Sequence, residues 1–200
     1  MLGVGCEINF NGSELDFEDE QRTHTLSDGR VVFPTEIEKG DIVAHLIALQ
    51  EDRDYHIIVD SFGGNAFDSI AIMNRIAELR NKGFIITTEA YGYTLSGGVF
   101  IFIMGDIRII HNGASIMFHG SGVNKYKKRD SLRTLVLTGK SDLEQHVIDS
   151  FQLIDNKYKK ELLEQTLMTE EDIKKWMYTL NYNFMSAKEA IRLGIATELK

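Results

Sequence analysis

Apolar residues recur at spacings of four and three along one stretch of the chain: Leu143, Val147, Phe151, Ile154, Tyr158 and Leu162. That spacing marks one face of an α-helix. The pattern predicts a long helix over about 131–166, which would reach well beyond a globule of 200 residues. Such an element ordinarily meets a partner, so association of copies through it is expected. Upstream, short apolar runs alternate with helical patterns. Val31-Val32-Phe33, Tyr55 to Asp60, Phe84 to Glu89, Ile107 to Ile110 and Ser115 to Phe118 read as strands. Asp41 and Asn65 are placed to cap helices, the second with an apolar face of Phe67, Ile70, Asn74 and Ala77, flanked by Ile76 and Leu79. Gly83 and Gly194 stand where helices stop, and Val99 to Met104 reads as a short apolar helix. Thr169 to Asp172 and Ser186 to Glu189 are capping boxes. Strands separated by helical crossovers predict an α/β fold with a largely parallel sheet covered on both faces.

Composition narrows the function classes. Net charge is −8, from 22 Lys+Arg against 30 Asp+Glu, which argues against nucleic acid as partner. The basic run Lys125, Lys127, Lys128 and Arg129 reads as a solvated loop leading into a helix. Cys6 is the sole cysteine, so no intrachain disulfide forms, as expected in a reducing compartment. No signal-peptide pattern opens the chain, and the apolar run Val99 to Met104 is too short to cross a bilayer. A soluble cytoplasmic protein with no membrane role is expected. Residues 1–29, rich in Asp and Glu, read as an N-terminal arm or hairpin.

Three places carry candidate chemistry. In Gly92-Tyr-Thr-Leu-Ser96-Gly97-Gly98 a strand ends, the backbone turns between glycines and a helix begins at the serine. The turn exposes a hydroxyl and aims helix N–H groups at an adjacent oxygen, although helix capping alone also explains such a serine. Thr94 stands where an α/β-hydrolase elbow has glycine. Ser61-Phe62-Gly63-Gly64 follows a buried strand and leaves backbone N–H groups for an oxyanion, or serves as a plain turn. His119 ends the strand Ser115 to Phe118, and its imidazole titrates near neutrality as a serine general base must. The other histidines, His24, His45, His56, His111 and His146, follow no metal-ligand spacing, so no metal or other cofactor is expected. Gly139-Lys140-Ser141 is not a phosphate loop, because Thr134 occupies the required glycine position.

Taken in order, these segments resemble the ClpP family of Clp protease proteolytic subunits, within the ClpP/crotonase superfamily. The family's Ser-Pro-Gly-Gly turn, Gly-x-x-x-Ser turn and Met-Ile-His segment correspond to Ser61–Gly64, Gly92–Gly98 and Met117-Phe-His119. Phe184-Met-Ser-Ala-Lys-Glu-Ala-Ile-Arg-Leu-Gly194 is similar to the family's C-terminal signature. The resemblance implies an α/β fold of repeated β-β-α units with a protruding handle helix. Residues 30–200 would form the peptidase domain, with the handle region at about 123–166. It further implies a serine endopeptidase with Ser96 as nucleophile, His119 as base, and the N–H groups of Gly64 and Gly97 as oxyanion hole. Expected partners are further copies in stacked heptameric rings, an AAA+ unfoldase, and peptide or unfolded protein substrates. Two departures stand out. Phe62 replaces the family's proline, and the triad aspartate falls on Tyr182 or Leu180, according to the alignment. Asn181 or Asn183 is then the candidate third member. A catalytically impaired ring subunit and, more remotely, a crotonase-type acyl-CoA enzyme are the alternative readings.

Overall fold

The computed structural model describes residues 23–33, 36–37, 42–125, 128–131, 135, 137–139, 143–179 and 182–200. The main sheet has six strands, in the order β1 (His24–Thr25), β2 (Val31–Val32), β3 (Tyr55–Ile58), β4 (Ile86–Ala90), β6 (Ile107–Ile110) and β11 (Glu198–Leu199). β1 and β2 form an antiparallel hairpin, and every later neighbour pair is parallel. Parallel neighbours need crossovers. The first helices, α1 (Ile42–Ala48) and α2 (Ala66–Asn81), supply them, as the strand and helix alternation predicts.

The expectation of one sheet needs correction. β5 (Tyr93–Leu95) pairs in parallel with β7 (Ser115–Met117), and β10 (Met185–Ser186) joins β7 antiparallel, in a separate three-stranded sheet. Gly92 turns the chain out of β4, and its N–H donates to Asp60 Oδ1 at 2.7 Å. Between β5 and β6 lies α3 (Gly97–Phe102), every residue of which is buried. A six-residue apolar helix of this kind is held by tertiary packing, because it is too short to stand alone.

The long helix is α4, and it runs Gln145–Gln165, shorter than 131–166. At 21 residues it spans about 32 Å. Two strands, β8 (Gly122–Lys125) and β9 (Lys128–Ser131), pair antiparallel instead, so part of the basic run lies on strands. Residues 135, 137 and 138 are helical, but Gly139 at φ 68 adopts the left-handed conformation that ends a helix. Phe151, Ile154, Tyr158 and Leu162 are buried, as the spacing predicts.

The caps of α2 and of the two C-terminal helices fall on the residues that the sequence signals mark. Asn65 accepts from the N–H groups of Phe67 and Asp68 at the start of α2. Thr169 and Asp172 form both halves of the capping box opening α5 (Glu170–Met177). Ser186 accepts from Glu189 N–H at the start of α6 (Ala187–Arg192), but the predicted box is half formed, because the Glu189 carboxylate accepts from Arg192 instead; Gly194 follows the helix at φ 68. Asp41 lies outside the described residues. The apolar face of α2 is rotated from the predicted one: Ser69, Ile72, Met73, Ile76 and Leu79 are buried, whereas Phe67 is 67% exposed. The sheet and α3 cover the former stripe, and Phe67 is left at the rim of a pocket.

Away from the site, Glu89 on β4 is buried between two imidazoles and a lysine. Its carboxylate accepts from His56 Nε2 at 2.7 Å, His111 Nε2 at 2.9 Å and Lys200 Nζ at 3.2 Å. Burial alone would push this carboxyl up, but the bonds from His111, Lys200 and His56 outweigh it, and the pKa falls from 4.5 to about 2. A depressed carboxylate pKa contributes stability that is present above 4.5 and is lost as pH falls toward about 2. Glu89→Gln should lower the thermal midpoint at neutral pH by about 5 °C. It should also flatten the fall in midpoint across that acid window, as calorimetry at stepped pH would show. An unchanged acid slope would contradict the assignment.

Candidate active site

Ser96 stands at the junction of β5 and α3, where a helix cap belongs. Its side chain makes no capping hydrogen bond. Among the described residues it is the one non-glycine at positive φ, with φ 51 and ψ −123. L-residues with a Cβ rarely adopt this conformation, and it persists where neighbours enforce it. Here Ser96 N–H donates to Met117 O at 2.6 Å and Leu95 N–H to Ser61 O at 2.8 Å. Thr94, buried two residues earlier, donates its hydroxyl to Val59 O at 2.6 Å. The strained turn directs the hydroxyl to His119, with Ser96 Oγ and His119 Nε2 3.0 Å apart.

The tautomer of His119 follows from its other nitrogen. Nδ1 lies 2.9 Å from Gly120 O, and a carbonyl only accepts, so Nδ1 carries the proton. Nε2 is then unprotonated and accepts from the Ser96 hydroxyl. β5 and β7 pair in register, Leu95 opposite Met117, which brings residues 96 and 119 together from 23 positions apart.

The glycine pair lies directly alongside. Gly63 has φ 87, and a Cβ there would stand 2.6 Å from Leu95 O and from Ser96 Cβ. Gly64 has φ 147, and its Cβ would stand 2.1 Å from Ile37 O. Only glycine permits this approach of backbone to backbone. A Cβ on Gly97 would lie 3.7 Å from Gly64 N, so the Gly64 and Gly97 segments run together beside Ser96. Neither N–H enters a described backbone bond. Phe62, in place of the family's proline, stacks on Tyr93 with ring centroids 6.2 Å apart.

Of the two predicted third members, one is described, and it does not join this pair. Asn183 is exposed and makes no hydrogen bond to His119, and Asn181 lies outside the described residues. Tyr182 presents its ring to the imidazole instead, with centroids 5.5 Å apart and planes at 66°. A carboxylate that sequence reasoning missed lies one step further back. Asp155, 1% exposed on α4, accepts from Ser121 N–H at 2.8 Å, Ser121 Oγ–H at 2.6 Å and Tyr178 Oη–H at 2.7 Å. Burial pushes its carboxyl above the ordinary range, against the bonds from Ser121 and Tyr178 and the nearby Lys159 charge. One signal was legible: Asp155 falls between Phe151 and Tyr158 on the buried stripe of α4, where an acid without partners is costly.

Two depressions meet at Ser96 and His119. One, of about 240 Å³, is walled by Ala66, Phe67, Phe100, Phe151, Ile154 and Tyr158. Phe100 and Tyr158 stack face to face there at 3.6 Å. The other, of about 470 Å³, is bounded by Glu36, Phe62, Met117 and Tyr182. Among the described residues no group of three His, Cys, Asp or Glu side chains is placed to hold a metal ion. None of their helices is long and apolar enough to cross a membrane.

The sequence model of the Clp protease family matches residues 18–199, nearly the whole chain. The chain belongs to the Clp protease family. Its fold is that of ClpP: a point mutant of ClpP1 from Listeria monocytogenes superimposes with a TM-score of 0.64. That match covers 84% of this chain and 89% of the other, at 15% sequence identity. No curated protein matches the sequence. Within a Clp protease family fold, the strained serine, the histidine and the glycine pair thus come from the three segments singled out in the sequence.

Proposed function

We propose that this Clp protease family chain is a serine endopeptidase subunit in which Ser96 is the nucleophile and His119 the general base. The observation that carries the proposal is the Ser96 Oγ to His119 Nε2 contact of 3.0 Å at a serine held in a strained conformation and making no cap bond. In this reading His119 Nε2 takes the hydroxyl proton as Oγ bonds to the peptide carbonyl carbon. The Gly64 and Gly97 N–H groups donate to the resulting oxyanion. His119 then returns its proton to the leaving amine, and a water molecule, activated in the same way, releases the acyl group. The aromatic and aliphatic pocket beside Ser96 suits an apolar side chain on the acyl side of the scissile bond.

Assembly into stacked rings enclosing the sites belongs to the same proposal. Leu153 on α4, 73% exposed, and Leu163, 40% exposed, offer apolar contacts to further copies. An AAA+ unfoldase feeding unfolded protein into such a chamber completes the reading.

A fluorophosphonate probe tests the chemistry, because Ser Oγ displaces fluoride from phosphorus only when a base removes its proton. Intact-mass and peptide mass spectrometry should show one adduct, on Ser96. Absence of any adduct in assembled rings would favour a non-catalytic ring subunit. The aromatic ring of Tyr182 against His119 is the specific feature on that side.

A further inference from the structure

Asp155 and His119 grip opposite ends of one peptide group. The Gly120 carbonyl accepts from His119 Nδ1–H at 2.9 Å. The N–H of that same peptide unit belongs to Ser121, and it donates to Asp155 Oδ1 at 2.8 Å. We propose that Asp155 is a positioning residue for His119, acting through the Gly120–Ser121 peptide. The inference rests on the peptidase reading above and names a residue that supports its base.

Asp155 acts on His119 in two ways. The first is polarisation. A carboxylate at the N–H end of a peptide draws positive charge toward itself and leaves the carbonyl oxygen a stronger acceptor, because hydrogen bonds in a chain reinforce one another. The imidazolium that forms when His119 takes the serine proton is therefore stabilised at Nδ1. Asp155 is 1% exposed, so water does little to damp the effect.

The second is rigidity. Gly120 N–H donates to Met177 O at 3.0 Å, so the stretch is held from α5 as well as from α4. A Cβ on Gly120 would lie 2.8 Å from the Tyr178 ring and 3.1 Å from Asp155 Oδ2. The peptide has no room to rotate, and the imidazole that bonds to its carbonyl keeps its tautomer. α4 also supplies Phe151, Ile154 and Tyr158 to the apolar pocket, so one helix carries both substrate wall and relay.

A purely structural role for Asp155, as a staple on the loop, makes a different prediction. Asp155→Asn keeps the staple: its Oδ1 accepts both Ser121 donors and its amide donates to Tyr178 Oη. Only the negative charge is removed. The titratable or charged groups facing Asp155 among the described residues are Tyr178, Tyr158 and Lys159, the last with its Nζ 5.0 Å from the Tyr178 ring centre. The change leaves these three side chains in place and removes the upward push of the Asp155 charge on the two phenols, which lie on the alkaline side of the acid limb.

The experiment compares wild type and Asp155→Asn in peptide turnover and in the rate of fluorophosphonate modification across pH. The relay expects kcat to fall about tenfold with KM within about twofold, since a carboxylate in direct contact is worth far more. The acid limb of the pH profile should move to lower pH, because removing a negative charge disfavours the imidazolium. A wild-type rate with an unmoved acid limb would overturn the relay. Wild type that forms no Ser96 adduct would instead overturn the peptidase reading, whatever Asp155 does. If Asp155→Asn does not fold, nitrogen NMR of isotope-labelled histidine in wild type decides, with His119→Ala assigning the signal. Protonated Nδ1 and bare Nε2 at neutral pH are expected, and the reverse tautomer would overturn the proposal.

Discussion

His119→Ala should lower kcat/KM for peptides, and the rate of Ser96 modification, by roughly 10⁴-fold to 10⁶-fold. A serine hydroxyl is a poor nucleophile until a base takes its proton, and Nε2 is the acceptor 3.0 Å away. The loss corresponds to about 5–8 kcal/mol of transition-state stabilisation. Residual turnover would come from the oxyanion donors and from binding alone, which persist without the base. The fold should survive, because His119 is half-buried at a strand end and the change removes no core side chain. Single-turnover acylation with an activated ester, alongside circular dichroism, measures both. Near-wild-type modification of Ser96 in this variant would show that another group activates the hydroxyl.

Gly64→Ala is expected to lower the rate less but to lower stability as well, for a different reason. Its φ of 147 suits glycine, and the added Cβ would sit 2.1 Å from Ile37 O and 2.8 Å from Ile37 C. Backbone is the obstacle on both counts, so no side-chain rotation relieves it. The Asn65 N–H bond to Ile37 O at 2.7 Å and the Ile37 N–H bond to Gly63 O at 2.8 Å would both be displaced. Moving this segment takes the Gly64 N–H away from the serine. Loss of one oxyanion donor costs about 10²-fold to 10³-fold in kcat. The strained φ adds about 1–3 kcal/mol of instability. Kinetics on folded, assembled protein separate the two contributions. A Gly64→Ala variant with unchanged kcat would remove Gly64 from the oxyanion site.

The contrast between these two positions shows which parts of the site were legible. Gly63 and Gly64 are visible as a pair after a strand, and Ser96 and His119 stand at strand ends, so the family pattern reaches all four. The conformation of Ser96 is not visible, because a capping serine and a strained one occupy the same kind of turn. Its φ of 51 and the missing cap bond separate the two. Asn183 is a candidate only by its nearness in sequence to the expected aspartate, and the chain leaves it exposed. Asp155 lies far from that segment in sequence and reaches the site across α4.

By itself the sequence determined those features that depend on neighbours three or four residues away. Asn65, Thr169 with Asp172, and Ser186 with Glu189 cap helices through bonds within one turn. The buried stripe of α4 from Phe151 to Leu162 follows from helical repeat alone. Tertiary structure decided whatever depends on contacts between distant segments. It split β5, β7 and β10 from the main sheet, rotated the buried face of α2 away from Phe67, and ended the long helix short of its predicted start. It also joined His119 to Asp155 through one peptide group. Periodicity and capping record local energetics, whereas a hydrogen bond across 23 or 34 residues exists only once packing has brought its partners together.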